Sequence, residues 1–383
     1  MRIAYFAPFY PSRSDWESNF TPGMFMGGGE TYALSLAEGV AARGHEVTVI
    51  SHRIGKQPVH EFARGAQVRR YPGIAILGDI ADPWSILMLL TELQRLRADV
   101  VHCHHYMHFS SFIGTLIGMR RHFPVVITHH GMRSMGRRYL RAKQSLLGKF
   151  VLSRATAIAV GNLYDWPWLQ RLGASEDRRH VIPHGIDVDR FCPQEKTSEF
   201  TILFVGRLEK HKGVPDLVQA AAILRRQGYL FRLVIVGRGP ERDGIEQQIV
   251  ASGLTGCVEL PGFVEDQQLR GLMARAHVLV FPSTFGERYT EVFGLVVAEA
   301  MASGTPAIAT PNGGVQDLVL DGQTGFLVPQ HSPESIAEKL EVLCRDRAQL
   351  AQLSSNALCH VRERFTLDRM IEEHLSLYRS LCG

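Results

Sequence analysis

The six cysteines of this 383-residue chain show no paired spacing. The absence of any C-x-x-C motif argues against zinc, redox and haem sites and against a secreted disulfide framework. The sequence also lacks an apolar run long enough to span a bilayer, and its start, MRIAYFAPFYP, lacks a basic region followed by a long apolar stretch. We therefore expect a cytoplasmic protein whose contact with the inner face of a membrane, if there is one, is peripheral.

Acidic residues are absent between Val100 and Tyr164, although the whole chain has a net charge of only +4. The small net charge gives no reason to expect a nucleic-acid partner. The basic segment Arg133 to Lys149 fits two interpretations, a helix lying on an anionic membrane that presents a lipid-linked acceptor, or an ordinary solvated helix. The span contains nine basic side chains: Arg120, Arg121, Arg133, Arg137, Arg138, Arg141, Lys143, Lys149 and Arg154.

Short apolar runs alternate with helical patterns throughout the first half of the chain. A run from Arg2 to Ala7 is followed by a predicted helix from about Gly29 to Arg43 and a second run from Glu46 to Ile50, which is a βαβ pattern. The alternation predicts a doubly wound parallel sheet. Further predicted strands are Val100 to His102, Val125 to Thr128, Ala157 to Val160 and Val181 to Ile182.

A polar stretch with a proline, Asp187 to Glu199, separates this half from a second one of the same kind. We predict two α/β domains, residues 1–190 and 191–365, since one core rarely organises a chain of this length. A closing helix over 366–383 has apolar residues at helical spacing and can pack on either domain, the first being the expected one. The second domain's predicted strands are Phe200 to Val205, Phe231 to Val236, Val258 to Glu259, Val278 to Phe281, Ala307 to Ala309 and Phe326 to Val328.

Two glutamates, Glu291 and Glu299, flank an apolar stretch and are separated by seven residues. A helix beginning near Phe293 explains this spacing, and its N-terminus would offer the amides of Gly294 and Leu295 to a phosphate. Glu291 would then lie near sugar hydroxyls, and Glu299, further along the same helix, near a ribose. An isolated pair at this spacing is more often a solvated helix surface.

Two cations, Arg207 and Lys212, follow the first strand of the second domain, where open α/β sheets bind ligands. A planar guanidinium and a mobile ammonium together suit a diphosphate leaving group, whose charge grows as a glycosidic bond breaks. A solvated basic turn is the competing interpretation.

With these residues in place, the chain resembles the retaining family 4 glycosyltransferases of the two-domain GT-B fold over nearly its whole length. The motifs that carry the resemblance are the glycine-rich Gly27, Gly28 and Gly29 followed by Glu30, the THHG run with His130, IPHGID from Ile182, GRLEKHKG from Gly206, LPGFV from Leu260, and Glu291 to Glu299.

The resemblance implies a hexosyltransferase-type enzyme that transfers a sugar from a nucleotide-diphosphate sugar in a cleft between two Rossmann-like domains. It implies that Arg207 and Lys212 bind the donor diphosphate, Glu291 the sugar and Glu299 the ribose, and that His130 approaches the transferred sugar. The remaining donor-binding residues it implies are Phe293, Gly294 and Leu295 through backbone atoms, Gly262 and Phe263 near the base, and Gly28 and Gly29 facing the phosphates and acceptor.

Several histidines compete for a role at this site. His130 is favoured over His129 by its position before Gly131, with a hydrogen-bonded histidine at a strand end as the alternative. His102, His104 and His105 lie close together, but no carboxylate is near them, so we expect them to line the cleft rather than bind zinc. The sequence departs from the family pattern at His184, at Arg238 and in the stretch containing Glu287.

The resemblance implies same-face substitution in which the departing diphosphate helps to deprotonate the acceptor, since no pair of carboxylates suits a glycosidase-like double displacement. The only Asp-x-Asp, Asp187 to Asp189, falls at the domain linker, so we expect no metal cofactor and full activity in EDTA. UDP is the favoured nucleotide, and the acceptor is a glycan, a lipid-linked sugar or a small molecule, as in polysaccharide biosynthesis.

Three other functions share features with this sequence. An NAD-dependent oxidoreductase is disfavoured because MGGGE lacks the G-x-G-x-x-G spacing and the second strand ends without an acidic ribose ligand. A nucleotide-sugar epimerase or hydrolase and a non-catalytic nucleotide-sugar-binding protein share the fold and stay open.

Overall fold

The computed structural model describes residues 1–8, 10, 12, 28–53, 57–72, 83–131, 138–284 and 290–383, without the side chains of 83–86 and 138–144. The chain divides into unit 1, Met1–Gly185 with Leu367–Gly383, and unit 2, Ile186–Thr366. The predicted boundary lies five residues later than the observed one. The reason is that the amide of Ile186 already donates to the carbonyl of Phe365 at 2.9 Å and Phe191 is buried in the core of unit 2.

Unit 1 is built on one sheet whose order is β3-β4-β2-β1-β5-β6-β7-β8. The strands are β1 (Arg2–Phe6), β2 (Glu46–Arg53), β3 (His60–Ala63), β4 (Ala66–Pro72), β5 (Val100–His104), β6 (Val125–His129), β7 (Ala157–Val160) and β8 (Arg179–Val181). The helices are α1 (Gly28–Ala42), α2 (Pro83–Arg95), α3 (Phe109–Arg121), α4 (Arg138–Arg154) and α5 (Trp166–Arg171).

The sheet of unit 1 is parallel except at one edge, where β3 runs antiparallel to β4. The sequence analysis missed this hairpin, whose turn uses Arg64 and Gly65 with positive φ angles. Without the edge strands β3 and β8, the order is that of a doubly wound fold, and the chain changes direction across the sheet between β1 and β5. That point is where such folds bind ligands, at the carboxyl ends of the strands.

Unit 2 repeats this order without an edge hairpin, as β11-β10-β9-β12-β13-β14, with every pairing parallel. The point where such folds bind ligands, at which the strand order reverses, therefore lies between β9 and β12 in this unit. The strands are β9 (Thr201–Val205), β10 (Arg232–Val236), β11 (Val258–Gly262), β12 (Val278–Phe281), β13 (Ala307–Ala309) and β14 (Gly325–Leu327). The helices are α6 (Val214–Arg226), α7 (Arg242–Ala251), α8 (Asp266–Arg275), α9 (Leu295–Ala302), α10 (Val315–Leu318), α11 (Pro333–Arg345) and α12 (Arg347–Arg364).

The central strands are apolar throughout because both of their faces are covered by helices. In β9, Ile202 and Phe204 belong to one buried cluster, which includes residues of α6 and α11. Leu203 and Val205 belong to the cluster on the opposite face, with residues of α9 and α12. The continuous apolar run in the sequence therefore predicts a central parallel strand correctly.

The closing helix, α13 (Leu367–Cys382), is part of unit 1 and packs beside α1. Gly39 of α1 allows the contact, since a Cβ there would lie 2.0 Å from the Cδ1 of Ile371. Arg43 adds ion pairs to Asp368 at 2.5 Å and Glu372 at 2.7 Å. The N-terminal strands of unit 1 therefore share a core with a segment that is distant along the chain.

Candidate functional site

The loops that follow β9 and β12 meet at the carboxyl edge of the sheet in unit 2. Gly213 ends the first loop with a φ of 67°, and a Cβ there would lie 2.1 Å from the carbonyl oxygen of Pro282 in the second. The amide of Thr284 donates to the carbonyl of His211 at 2.7 Å. The sequence-predicted residues Arg207, Lys212 and Glu291 all lie on these two loops.

Lys212 and Glu291 are in direct contact: the Lys212 ammonium donates to Glu291 Oε1, and the two side chains are 13% and 22% exposed. The ammonium also lies 5.3 Å from the centre of the Phe281 ring, on the last residue of β12. The structure thus brings together a fixed cation and a carboxylate that are 79 residues apart in sequence.

The main chain of Glu291 is held on both sides. Its amide donates to Asn312 Oδ1 at 3.1 Å, and its carbonyl accepts from the amide of Gly314 at 2.8 Å. Gly313, with a φ of 56°, passes so close that a Cβ would lie 2.1 Å from that carbonyl. The sequence analysis missed Asn312 and these glycines, although the turn PNGGV after β13 is a recognisable signal for a tight backbone approach.

Arg207 is more exposed, at 51% of its side chain, and pairs with Glu209 at 2.6 Å. The same carboxylate approaches His211 Nδ1 at 3.3 Å. Partial burial, together with Lys212 nearby, lowers the pKa of His211 below its ordinary value. The candidate diphosphate cations are therefore both paired with carboxylates, and Glu209 is a further residue that the sequence analysis missed.

Helix α9 begins at Leu295, two residues after the predicted start at Phe293. Gly294 is its N-cap in a left-handed conformation, φ 88°, so the helical backbone starts only after it. The side chain of Phe293 is buried and packs 5.4 Å from the Phe365 ring, so Phe293 faces the core and offers only its backbone to a ligand. The amides of Val297 and Ala298 donate to the Gly294 carbonyl at 2.8 and 3.1 Å, and the amides that precede them at this helix N-terminus are suited to an anion.

Glu299 lies one turn into α9 and is partly buried. Burial raises the pKa of its carboxyl group to about 7, with Arg190 opposing and Asp266 adding to the rise. An ionised carboxylate accepts hydrogen bonds from hydroxyls through both oxygens, whereas the protonated form has less acceptor capacity and carries a donor hydrogen. This behaviour fits the predicted contact with a ribose.

Of the two residues predicted near the base, Gly262 ends β11 at the same edge of the sheet and Phe263 follows it. Gly262 has a φ of 77°, and Phe263 exposes 53% of its surface. The guanidinium carbon of Arg238, from the loop after β10, lies 5.5 Å from the Phe263 ring centre. An exposed aromatic ring with an adjacent cation is a stacking surface for a planar group.

In unit 1, the structure brings Gly29, His105 and His130 together at the carboxyl edge near β1 and β5. Gly28 and Gly29 open α1, and a Cβ on Gly29 would lie 3.0 Å from His105 Nε2 and 3.4 Å from the His130 Cβ. Gly27 lies outside the described residues. Gly29 therefore permits a close approach of the backbone to two histidine side chains.

His130 Nε2 lies 3.1 Å from His104 Nδ1. Burial and the neighbouring histidines lower the pKa of His130 well below its ordinary value. The imidazole is therefore neutral at physiological pH, and it is suited to hydrogen bonding with a sugar rather than to donating a proton as a cation.

His102 and His104 do not line a ligand surface, so that part of the prediction is wrong. His102 is fully buried, with Nδ1 2.5 Å from the Tyr378 hydroxyl and Nε2 2.6 Å from Thr128 Oγ1. Only His105 of the three is partly exposed. Hydrogen bonds and ring contacts connect a histidine–tyrosine cluster, which consists of Tyr5, Tyr32, His102, His104, His130, His184, His374 and Tyr378.

Within the part of the chain that the structure describes, no group of three His, Cys, Asp or Glu side chains is arranged to hold a metal ion. Nor does any helix there have the length and apolar character needed to cross a bilayer. Glu287 lies outside the described residues, and so does part of the basic segment Arg133 to Lys149. In the described end of this segment, on α4, Leu146 and Lys149 are exposed.

Both halves of the chain match family models. Residues 26–190 match the model of Glycosyltransferase Family 4, and residues 186–358 match that of Glycosyl transferases group 1. The D-inositol 3-phosphate glycosyltransferase of Nocardia farcinica is 31% identical, over 87% of this chain and 80% of the relative. That of Xylanimonas cellulosilytica is 30% identical, over 92% and 91%.

Solved structures share the fold. Sucrose-phosphate synthase from Thermosynechococcus elongatus superposes with a TM-score of 0.76 at 24% identity, covering 99% of this chain and 98% of the other. Anabaena Alr3699/HepE in complex with UDP gives 0.79 at 21% identity, covering 99% and 100%. Two doubly wound α/β domains of this order define a GT-B architecture. The chain belongs to the GT-B glycosyltransferases and is an enzyme of the hexosyltransferase type.

Proposed function

We propose that the enzyme transfers a sugar from a nucleotide-diphosphate sugar, with retention of anomeric configuration, and that unit 2 binds the donor. The observation that carries this proposal is the convergence of Lys212, Glu291 and the N-terminus of α9 at the ligand-binding point between β9 and β12. An ammonium and helical amides attract a diphosphate, while a carboxylate accepts hydrogen bonds from sugar hydroxyls.

The Lys212 ammonium has two possible partners, the Glu291 carboxylate that it contacts and the diphosphate of a donor. A diphosphate at the tip of α9 competes for the Lys212 ammonium as a more highly charged partner. Glu291 is then released to bind the sugar, and Arg207 exchanges Glu209 for phosphate oxygens in the same way. Because the leaving diphosphate gains charge as the glycosidic bond breaks, both cations stabilise the transition state more than the ground state.

Retention follows in this proposal from same-face substitution. The departing diphosphate takes the proton of the acceptor hydroxyl, Glu291 and backbone dipoles stabilise the oxocarbenium-like sugar, and neutral His130 donates or accepts a hydrogen bond at the sugar. No covalent sugar intermediate is required.

We propose that the reaction needs no metal ion, with Arg207 and Lys212 neutralising the diphosphate. The single Asp-x-Asp supports this view, because Asp187 accepts a hydrogen bond from the Asp189 amide at 3.2 Å and caps a short helical turn. We expect the rate of sugar transfer to be unchanged in EDTA. A rate that falls with EDTA and returns with Mg²⁺ or Mn²⁺ contradicts it.

For the donor we propose a UDP-sugar, with Gly262 and Phe263 contacting the base and Glu299 the ribose. Solved structures of the Anabaena relative contain UDP, UDP with glucose, or UDP-glucose, which supports this nucleotide. For the acceptor we propose a glycan, a lipid-linked sugar or a small molecule. Curated relatives named for D-inositol 3-phosphate support the last of these.

We also propose a cytoplasmic location, with peripheral contact to anionic membrane through Arg133 to Lys149. The exposed Leu146 and Lys149 on α4 support it, since a surface helix that combines apolar and basic side chains suits an anionic bilayer. Sedimentation with anionic vesicles at low and high salt tests it. Equal binding to neutral vesicles, or no binding, removes the idea.

The function is tested in two stages. A thermal-shift screen of UDP-, GDP- and ADP-sugars identifies the donor, because a ligand that binds the native state raises the apparent stability. Transfer is then measured on acceptor panels, with the anomeric configuration of the product read by NMR. An inverted product contradicts the mechanism, rapid donor conversion without acceptor indicates an epimerase or hydrolase, and binding without turnover indicates a binding protein.

A further inference from the structure

His129 and Asp165 form a buried pair at the carboxyl edge of the sheet in unit 1. His129 ends β6, and Asp165 lies in the segment after the neighbouring strand β7. His129 Nε2 lies 3.1 Å from Asp165 Oδ2, with the two side chains 3% and 2% exposed. Taking both groups out of water is unfavourable unless they are well bonded, so the contact specifically joins the two segments.

Asp165 stands at the N-cap position of α5 without capping the helix through its side chain. Its main-chain oxygen begins the helix normally, accepting from the amides of Trp168 and Leu169 at 3.0 and 3.2 Å. An aspartate at this position usually accepts a further bond from a first-turn amide. In the described part of unit 1 the Asp165 carboxylate makes no such capping bond. It faces His129 instead.

The ring of His129 also closes the turn that carries His130. The amide of Gly131 lies 3.2 Å from His129 Nε2, and Gly131 has a φ of 76°, which reverses the chain immediately after His130. One imidazole nitrogen either donates or accepts at a given moment. Nε2 therefore serves one of the two groups at a time: the tautomer that carries the hydrogen on Nε2 donates to Asp165, and the other tautomer accepts from Gly131.

Other contacts confine His130 from the remaining directions. His104 Nδ1 lies 3.1 Å from its Nε2, and the backbone of Gly29 leaves only 3.4 Å between an added Cβ and the ring. The edge of the Tyr32 ring approaches it with centroids 5.0 Å apart. A shift of the Gly131 turn therefore moves the imidazole of His130 against groups that are already in contact.

We propose that Asp165 and His129 are positioning residues for the transfer reaction. Asp165 holds the ring of His129 beside the turn at Gly131, and the contact of the ring with this turn, rather than a second simultaneous hydrogen bond, sets the place of the His130 imidazole at the transferred sugar. This inference rests on the proposed function of His130. Neither buried side chain touches substrate, so donor binding in unit 2 is expected to be independent of them.

Asp165→Asn, His129→Leu and His129→Gln test the proposal, with Glu92→Gln as the matched control. Glu92, on α2, is a fully buried carboxylate of unit 1. It accepts hydrogen bonds from Arg69 at 2.9 Å and Tyr71 at 2.6 Å, which are residues of β4 and not of the strand β6 that carries His129. We expect Asp165→Asn and His129→Leu to lower kcat about 10- to 100-fold, with the donor KM unchanged within about twofold, since displacement of a reacting group by about 1 Å has this effect.

Two further readouts separate positioning from general loss of stability. Nitrogen-15 histidine NMR, with the His130 signal assigned through His130→Gln, is expected to show a shifted His130 ring in Asp165→Asn and not in Glu92→Gln. His129→Gln, whose amide supplies a donor hydrogen to Asp165, is expected to recover part of the kcat that His129→Leu loses.

An unchanged kcat in Asp165→Asn, a loss confined to KM, or an unshifted His130 signal overturns the proposal. The proposal is also overturned if kcat falls as much in Glu92→Gln as in Asp165→Asn while the two variants have the same melting temperature. If the wild-type protein transfers no sugar from any donor, the proposed function fails instead, and the His130 signal still decides whether Asp165 sets the position of that ring.

Discussion

Lowering the pH from 8 to 6 is expected to weaken donor binding about tenfold through Glu299 alone. Burial raises the pKa of this carboxyl group to about 7 in the free protein. If the donor binds only when Glu299 is ionised, the apparent Kd scales with the inverse of the ionised fraction, which is about 0.9 at pH 8 and about 0.1 at pH 6. Binding pulls the carboxyl group into its ionised form and releases its proton.

The assay is isothermal titration calorimetry of the UDP-sugar at both pH values, in pairs of buffers with different ionisation enthalpies. The intact sugar nucleotide is used because its diphosphate keeps its charge across this range, whereas the terminal phosphate of free UDP titrates near pH 6. We expect about 0.9 proton released per donor bound at pH 6 and about 0.1 at pH 8.

Glu299→Gln removes the titrating group while keeping the side-chain shape. It is expected to bind the donor about 10- to 100-fold more weakly at pH 8, the usual worth of a hydrogen bond to a charged group, and to lose the pH dependence. Glu334→Gln, an exposed glutamate in the first turn of α11, serves as the control and keeps it. Equal wild-type affinity at pH 6 and 8, or an undiminished pH dependence in Glu299→Gln, refutes the reasoning.

Three further results are expected. Lys212→Met lowers kcat/KM about 100- to 1,000-fold, as loss of a charge-stabilising donor does. The control Lys339→Met, on α11, leaves steady-state kinetics unchanged, and a similar loss in both variants contradicts the assignment of Lys212 to the diphosphate. Gly313→Ala lowers the free energy of unfolding by about 1–3 kcal/mol more than Gly228→Ala, measured in urea, because a Cβ meets a carbonyl at the first position and open space at the second. The histidine–tyrosine cluster is expected to make the protein acid-labile, since burial lowers the pKa of members such as His374 to about 3. Below about pH 6.5 the unfolded chain binds more protons than the folded one, so the free energy of unfolding is full above that pH and falls by at least about 1.4 kcal/mol per pH unit below it. A urea midpoint that stays flat between pH 7.5 and 5 contradicts this.

The sequence analysis correctly predicts the features of the fold that a local pattern of residues determines. Continuous apolar runs separated by helical periodicity predict both doubly wound sheets, because a parallel strand is buried on two faces. The positions of Arg207 and Lys212 after the first strand of unit 2 follow from the same topology. Their ion pairs with Glu209 and Glu291 were not foreseen, and the second of these joins residues 79 apart in the chain.

The start of α9 shows the limit of periodicity. Phe293 continues the apolar spacing of the helix, but its ring is buried against Phe365, a tertiary contact that no local pattern encodes. Gly294 then takes a left-handed conformation, and the helix begins after it. An apolar residue before a glycine is therefore ambiguous between a first helical turn and a core residue that precedes the cap.

The histidines were misjudged for a similar reason. The spacing of His102 and His104 correctly puts both on one face of β5. What covers that face is Tyr378 and His374 of α13, more than 270 residues later in the chain. A strand residue exposed in the isolated half of the sequence is thus internal in the folded protein.

The position of α13 has a consequence for biosynthesis. A ribosome translating this chain releases all of unit 2 before it releases Leu367–Cys382, yet the core of unit 1 includes that helix. The nascent N-terminal sheet therefore waits, with part of one apolar face uncovered, while the later unit is already able to fold. Order of synthesis and order of completion are reversed, and the partly covered sheet is the state that a chaperone would meet.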